Sequence, residues 1–473
     1  MRFSIFFYIL VSFTTGNLFS QSLFFEKTFD IFNGIETAKS VKEFGDSSIF
    51  IVGNSTNSGA QFSDISLSRL DKYGNLKWTR YYGDTLDDFG LYMNKVRNGN
   101  LIIVGETYSA VTGTDAIIIE TDTSGQIIWK KIIASPKVES LKYIEQTADK
   151  GFVATGFQSD TSGSNNIYVV KTDSLGNIEW ERSIGGADNE YADAVHELPE
   201  GAFLVTGDTR SKGLGGYDVE VVKLDKKGNT IWDKTYGDQF NNGCQGILIT
   251  SKNRYLSFGE TEIYSLSRFD FYCELIDTSG KSLWRKVWGG AQADALFSAV
   301  EDSDGSFVFT GYSNSYNGNK PLDLVVLKTD SLANMQWLTT YGFQGIDIGY
   351  SIEHSIAGGY LIAGVATNAD NDYFVLHVND TGVVNSVHQS NPSEIGFQLF
   401  PNPTPGKFTV ALTNENNVKT TTRIKDITGR LIDSFVFDGN RFEYSTNQLP
   451  KALYIVEIES VNNPIYSCKL VIY

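Results

Sequence analysis

The chain is short of cysteine, proline, histidine and positive charge, and each shortage excludes something. Three cysteines among 473 residues are an odd count and cannot complete a disulfide framework. No uncharged apolar run reaches membrane-spanning length, so no transmembrane segment is expected. His196, His354, His377 and His388 are scattered without ligand spacing, and the first three fall in predicted strands. A phosphate loop, a zinc motif and a nucleophile elbow are all missing, so catalytic signals are thin. The net charge is −17; residues 392–473 carry eight charges of each sign and Arg2 adds one positive, so the body between them bears −18. An acidic body of that size repels nucleic acid and anionic lipid.

What is abundant is glycine, 45 residues, and seven of these are periodic. Gly53, Gly105, Gly156, Gly207, Gly259, Gly311 and Gly364 each end an apolar run, at spacings of 52, 51, 51, 52, 52 and 53 residues. A second marker keeps the same phase: D-x-x-(G/A)-x-x-x-W at 71–78, 122–129, 173–180, 225–232, 277–284 and 330–337. Repeats near 50 residues, built of short strands and glycine turns, mark propeller blades or solenoid coils. The fourth repeat holds four strand-like runs, Ala192–Glu197, Ala202–Thr206, Val219–Leu224 and Thr230–Tyr236. Phe25–Asp30 aligns with Trp232–Gly237 as a fourth strand with no first three before it, and Ser386 replaces Trp in the last repeat. Circular closure reconciles the two and removes open sheet edges. The expected fold is all-β: a seven-bladed propeller with four antiparallel strands per blade, the N-terminal strand closing the last blade. Cys244 and Cys273 then fall at positions that are apolar in the other repeats, and behave as small hydrophobes.

The tryptophan marker resembles the docking motif of quinoprotein-like propellers, with a shorter Asp-to-Gly gap, so the likeness concerns structure and not cofactor. The Asp is expected to bond turn amides while the Trp packs between blades. No cofactor is expected.

The ends differ from the repeats. Arg2, an apolar core from Phe3 to Phe13 and small polar residues read as a signal peptide, 1–20. The propeller is placed at 21–390 and a linker at 391–395. Six of the nine prolines lie in the last 82 residues, where the repeat phase stops. Residues 396–473 contain Pro401-Asn402-Pro403, Gly429-Arg430-Leu431-Ile432, Leu449-Pro450 through Tyr454, and a closing run from Lys469. This set resembles the type A C-terminal sorting domain of the type IX secretion system of Bacteroidota, with Ala452 where the family usually has Gly. The resemblance implies a small β-sandwich, a route through the periplasm to the outer-membrane surface or medium, and two partners: the secretion machinery and a sortase-like protease.

Two sets of residues are candidates for binding. Seventeen positions before each repeat glycine stand Glu36, Asp88, Glu139, Glu190, Asn242, Asp294 and Asp347. They form either a collar for a hard cation such as calcium or turn acids bonded inside their own blades. A feature present in every repeat favours the second reading. The loops between second and third strands vary and carry Tyr108, Tyr217, Tyr264, Arg268 and Tyr316, residues suited to a glycan, peptide or protein ligand. A non-enzymatic binding protein is expected first, a glycan hydrolase or lyase using loop carboxylates second, and a purely structural surface module third.

Overall fold

The computed structural model describes residues 23–31, 34–56, 62–262, 268–316, 321–367 and 371–384, then 397–400, 404, 406–412, 419–426, 430–438, 441–446, 449–460 and 466–472. The expected signal peptide and linker, Tyr264, Pro401, Asn402, Pro403 and Gly429 lie outside them. The chain divides after Val384 into two compact units.

In the first unit, four-stranded antiparallel sheets span 35–82, 88–133, 139–184, 190–236, 242–288 and 294–341, here blades 1 to 6. Blade 7 joins Asp347–His354, Tyr360–Thr367 and Asn371–Val378 to Phe25–Phe29, whose register runs from Phe25 opposite His377 to Phe29 opposite Tyr373. The unit is a seven-bladed β-propeller closed by its N-terminal strand. Second and third strands are buried on both faces and therefore read as apolar runs, as in Phe152–Gly156, while fourth strands alternate, as in Ile178–Ile184. Seven hydrophobic clusters each join two neighbouring blades; the closing one sets Phe25, Leu361 and Tyr373 against Ala38, Val41 and Ile51. Cys244 and Cys273 are buried free thiols in this core, and burial raises both thiol pKa values.

Both sequence markers have physical causes. Each repeat glycine faces a β-bulge in the first strand; a Cβ at Gly156 would stand 2.1 Å from the Ser140 carbonyl oxygen. Each marker aspartate closes the turn before the fourth strand. Asp225 Oδ1 accepts from the backbone N–H groups of Lys227 and Asn229, both at 2.8 Å. Asn379 does the same in blade 7, for Thr381 at 3.0 Å and Val383 at 2.9 Å. At four junctions the tryptophan then lies under the turn glycine of the next blade. Gly125 has φ +79°, and a Cβ there would meet Trp78 at 3.1 Å. The same strand sends a tyrosine to that turn, Tyr82 to the Gly125 carbonyl at 2.9 Å and Tyr236 to that of Gly280 at 2.7 Å. At the closing junction Phe25 takes the tryptophan's place under Gly74, and Lys27 donates to Tyr73 O and Asn75 Oδ1, each at 2.8 Å.

The second unit holds two antiparallel sheets. One orders Phe397–Phe400, Lys407–Leu412 and Arg441–Ser445; the other orders Leu431–Asp438, Lys419–Lys425, Leu453–Ser460 and Tyr466–Val471. Phe408 and Val410 of the first pack with Ile424, Tyr454, Val456 and Leu470 of the second, giving this unit a core of its own.

Candidate functional site

The seven phased residues all lie at the start of the innermost strands and are buried. Each is bonded within its own blade or to the link that precedes it. Glu190 accepts from the Gly186 N–H at 2.8 Å and Thr209 Oγ1 at 3.0 Å, and Asp347 from the Phe343 N–H at 2.7 Å. Glu36 accepts from Ser55, Asp88 from the Asp84 N–H, Glu139 from Gln158 and Asp294 from Ser315, while Asn242 accepts from Thr261.

A second ring, unforeseen from the sequence, faces the first across each junction between blades. It consists of Asp64, Asp115, Asn166, Asp218, Asp270, Asp323 and Asp372, each 14 residues before the tryptophan or its equivalent. A Cβ at Gly83 would stand 1.9 Å from Asp64 Oδ1 and 2.9 Å from Asp88 Oδ2, so both rings press on the linking residue between blades. At the closing junction that residue is Asp30, and Asp30, Glu36 and Asp372 bring ligand oxygens within 4.8 Å of one another. Among the described residues this is the group with spacing for a hard cation.

Burial pushes Asp270 up to about 6, helped by the charge of Asp294, and pushes Asp347 up to about 6 against its backbone hydrogen bonds. A carboxyl whose folded pKa lies above its unfolded value stabilises the fold at low pH. That contribution is complete below about pH 4 and fades as pH rises through 6. Asp270→Asn, which reproduces the acid–amide pairing already present at Asn166–Glu190, is therefore expected to stabilise the chain at pH 7.5 by about 1 kcal/mol. It should change little at pH 4, and urea titrations at the two pH values check the difference.

The interior of the ring is a channel of about 500 Å³ lined by the first strands. Its upper lining is made by the seven bulged residues themselves: Lys39, Leu91, Lys142, Asp193, Gln245, Phe297 and Tyr350. An extra residue in a bulge is freed from the ladder and re-aimed, here into the channel. Lys142 Nζ lies 3.0 Å from Asp193 Oδ1, while Asp193 Oδ2 is buried without a hydrogen-bond partner. Behind them, Asp208 accepts from the Cys244 N–H at 2.5 Å, and Glu260 lies 3.5 Å from Gln245 Nε2. Burial raises Asp193 although Lys142 opposes it, drives Asp208 well above the carboxylate range, and pushes Glu260 up to about 7. Across the channel, Tyr350 and Phe297 have ring centroids 5.4 Å apart, and Lys39 Nζ sits 3.7 Å from the Tyr350 ring centre. Lower down, Lys42 pairs with Glu353 at 3.2 Å, Tyr92 stacks on Tyr143 at 4.3 Å, and His196 bridges Glu145 and the Ile247 carbonyl, both at 2.9 Å. His354 pairs with Asp302 at 2.8 Å, and His377 bonds the Gly358 carbonyl at 2.9 Å.

The variable-loop residues are spread around one face: Tyr108 on blade 2, Tyr217 on blade 4, Arg268 on blade 5 and Tyr316 on blade 6. Tyr108 and Tyr316 are exposed, Tyr316 stacking on Phe271 at 6.5 Å, and Arg210 lies over Tyr217 at 5.6 Å. First strands begin and second strands end at this face, so the bulged ring lies three residues inside it. In the tail, Tyr454 is buried and donates to the Pro450 carbonyl at 2.9 Å; Arg430 is exposed and closes a turn with Asp426; Lys469 lies on the last strand.

A closed propeller with an asymmetric channel, followed by a separately cored tail, defines a repeat scaffold joined to an address. Residues 398–473 match the family described as the secretion system C-terminal sorting domain. The tail is a type IX sorting domain, and the chain is exported by that route to the cell surface or beyond. No curated protein matches the chain. Among solved structures it is similar to PorZ of Porphyromonas gingivalis, described as an essential bacterial surface component of the type-IX secretion system, at 11% identity. That match covers 90% of this chain and 69% of the other with a TM-score of 0.38. It is similar to the Neurospora crassa Pan2 WD40 domain at 13% identity, covering 72% and 89%, TM-score 0.46. An α-L-arabinofuranosidase of Fusarium graminearum matches at 10% identity, covering 76% and 98%, TM-score 0.42. At these scores the likenesses carry no argument about what this chain binds.

Proposed function

We propose that the protein is an exported binding protein that holds a glycan, peptide or protein ligand in the upper channel, with Tyr108, Tyr217 and Tyr316 on the same face. One observation supports this reading above the others. Around the axis, buried acids and turn aspartates repeat blade after blade, whereas the seven bulged residues present almost every kind of side chain. Architecture repeats; recognition in a repeat protein uses positions free to differ. The combination of apolar and aromatic lining with a few placed polar groups is that of a small-ligand pocket. After passage the tail is cut off by a sortase-like protease.

A glycan and peptide array probed with the intact chain tests the reading. Saturable binding that falls at least tenfold in Phe297→Ala and Tyr350→Ala is expected. Binding indifferent to both substitutions would sink it. A second reading, glycan cleavage, draws on Glu260, which burial pushes up to about 7, since an acid poised near neutrality can donate a proton. Release of reducing ends by the intact chain but not by Glu260→Gln would replace binding with turnover.

A further inference from the structure

Within the lining, three lysines face two acids. Lys142 pairs with Asp193, and Glu353 is shared by Lys42 and by Lys95, which lies just outside the lining. Lys39 has no carboxylate or hydrogen-bond partner among the described residues; its ammonium rests only on the face of Tyr350. Burial, reinforced by the neighbouring charge of Lys142, lowers its pKa to about 8. A half-buried ammonium without a counter-ion is costly, and an incoming anion removes that cost. The surplus is a single positive charge, and no arginine fork lines the channel. One point charge suits a monoanionic carboxylate better than a phosphate dianion.

The surroundings of Lys39 specify more than charge. On one side lie Tyr350 and Phe297, whose faces suit the C–H face of a sugar ring. Across the channel, on blades 4 and 5, lie Asp193, whose Oδ2 has no donor, and Gln245, which offers both functions. A lining that holds these acceptors and a cation without a counter-ion matches a molecule that brings hydroxyl donors and one carboxylate. The volume of about 500 Å³ lies within the usual range for small-ligand pockets.

Resting on the channel reading above, we infer that the ligand is an acidic sugar, a hexuronate or a short glycan ending in one, its carboxylate on Lys39 and its ring against Tyr350 and Phe297. Binding draws a proton onto Lys39, so affinity declines as pH rises from 7 to 9.

Calorimetry on the full chain with three probes tests this: galacturonate, its neutral counterpart galactose, and a tripeptide with a free carboxylate. Galacturonate is expected to bind at least tenfold tighter than galactose. K39M should lose that margin for the acid while leaving the neutral sugar unchanged, and should melt no lower than the parent because it removes an uncompensated buried charge. Equal affinity for both sugars, no binding of galacturonate, or tighter binding of the tripeptide overturns the inference. If Tyr350→Ala weakens both sugars while K39M changes neither, acid selectivity falls but the channel remains the site. If sugars bind untouched by both substitutions, the channel reading falls with it.

Discussion

Removing residues 397–473 is expected to abolish appearance of the protein at the cell surface and in the medium, while the propeller accumulates folded within the envelope. The sorting domain occupies that segment, and its core is built from its own residues, Phe408 and Val410 with Ile424, Tyr454 and Val456. The seven inter-blade clusters are built from propeller residues among those described, so the deletion leaves the propeller its own core. Cell fractionation with an antibody to the propeller measures the outcome, and the protease resistance of the retained chain measures its folding. A tailless chain found in the medium would refute the assignment of the tail as the export address.

The second large effect is expected at the closure. Deleting residues 23–30 exposes the edge of Asn371–Val378 and empties the space under Gly74. The deletion removes five paired residues and a buried aromatic anchor, and an unpaired edge is a template for association. Cooperative unfolding is expected to be lost or the chain to aggregate, read by calorimetry and light scattering. The milder Phe25→Ala is expected to cost about 3 kcal/mol, the range for truncating a buried phenylalanine. A melting curve unchanged by the deletion would mean that the ring does not depend on its first strand.

The wheel itself was legible because its markers are backbone requirements. A glycine opposite each bulge and a capped turn over each tryptophan tolerate few substitutes, so they recur in the sequence at a fixed interval. The closing strand was legible for the same reason, through the phase of Phe25. The bulged ring was hidden because Lys39, Leu91, Lys142, Asp193, Gln245, Phe297 and Tyr350 share a position and nothing else. Counting 14 residues back from each repeat glycine finds them, but only the register makes them face inward. The second acid ring escaped because loops of unequal length separate it from the glycines; counted from the tryptophans it is regular. Of the variable-loop tyrosines, Tyr108, Tyr217 and Tyr316 belong to separate blades, which sequence spacing does not reveal.

Pairing of Phe25 with His377 has a kinetic consequence. The first strand to be synthesised waits for one of the last in the propeller, with nearly all of the intervening chain looped out between them. Late pairing of distant segments is slow. Until it happens the ring stays open, so the propeller is complete only once the chain as far as Val378 is in place.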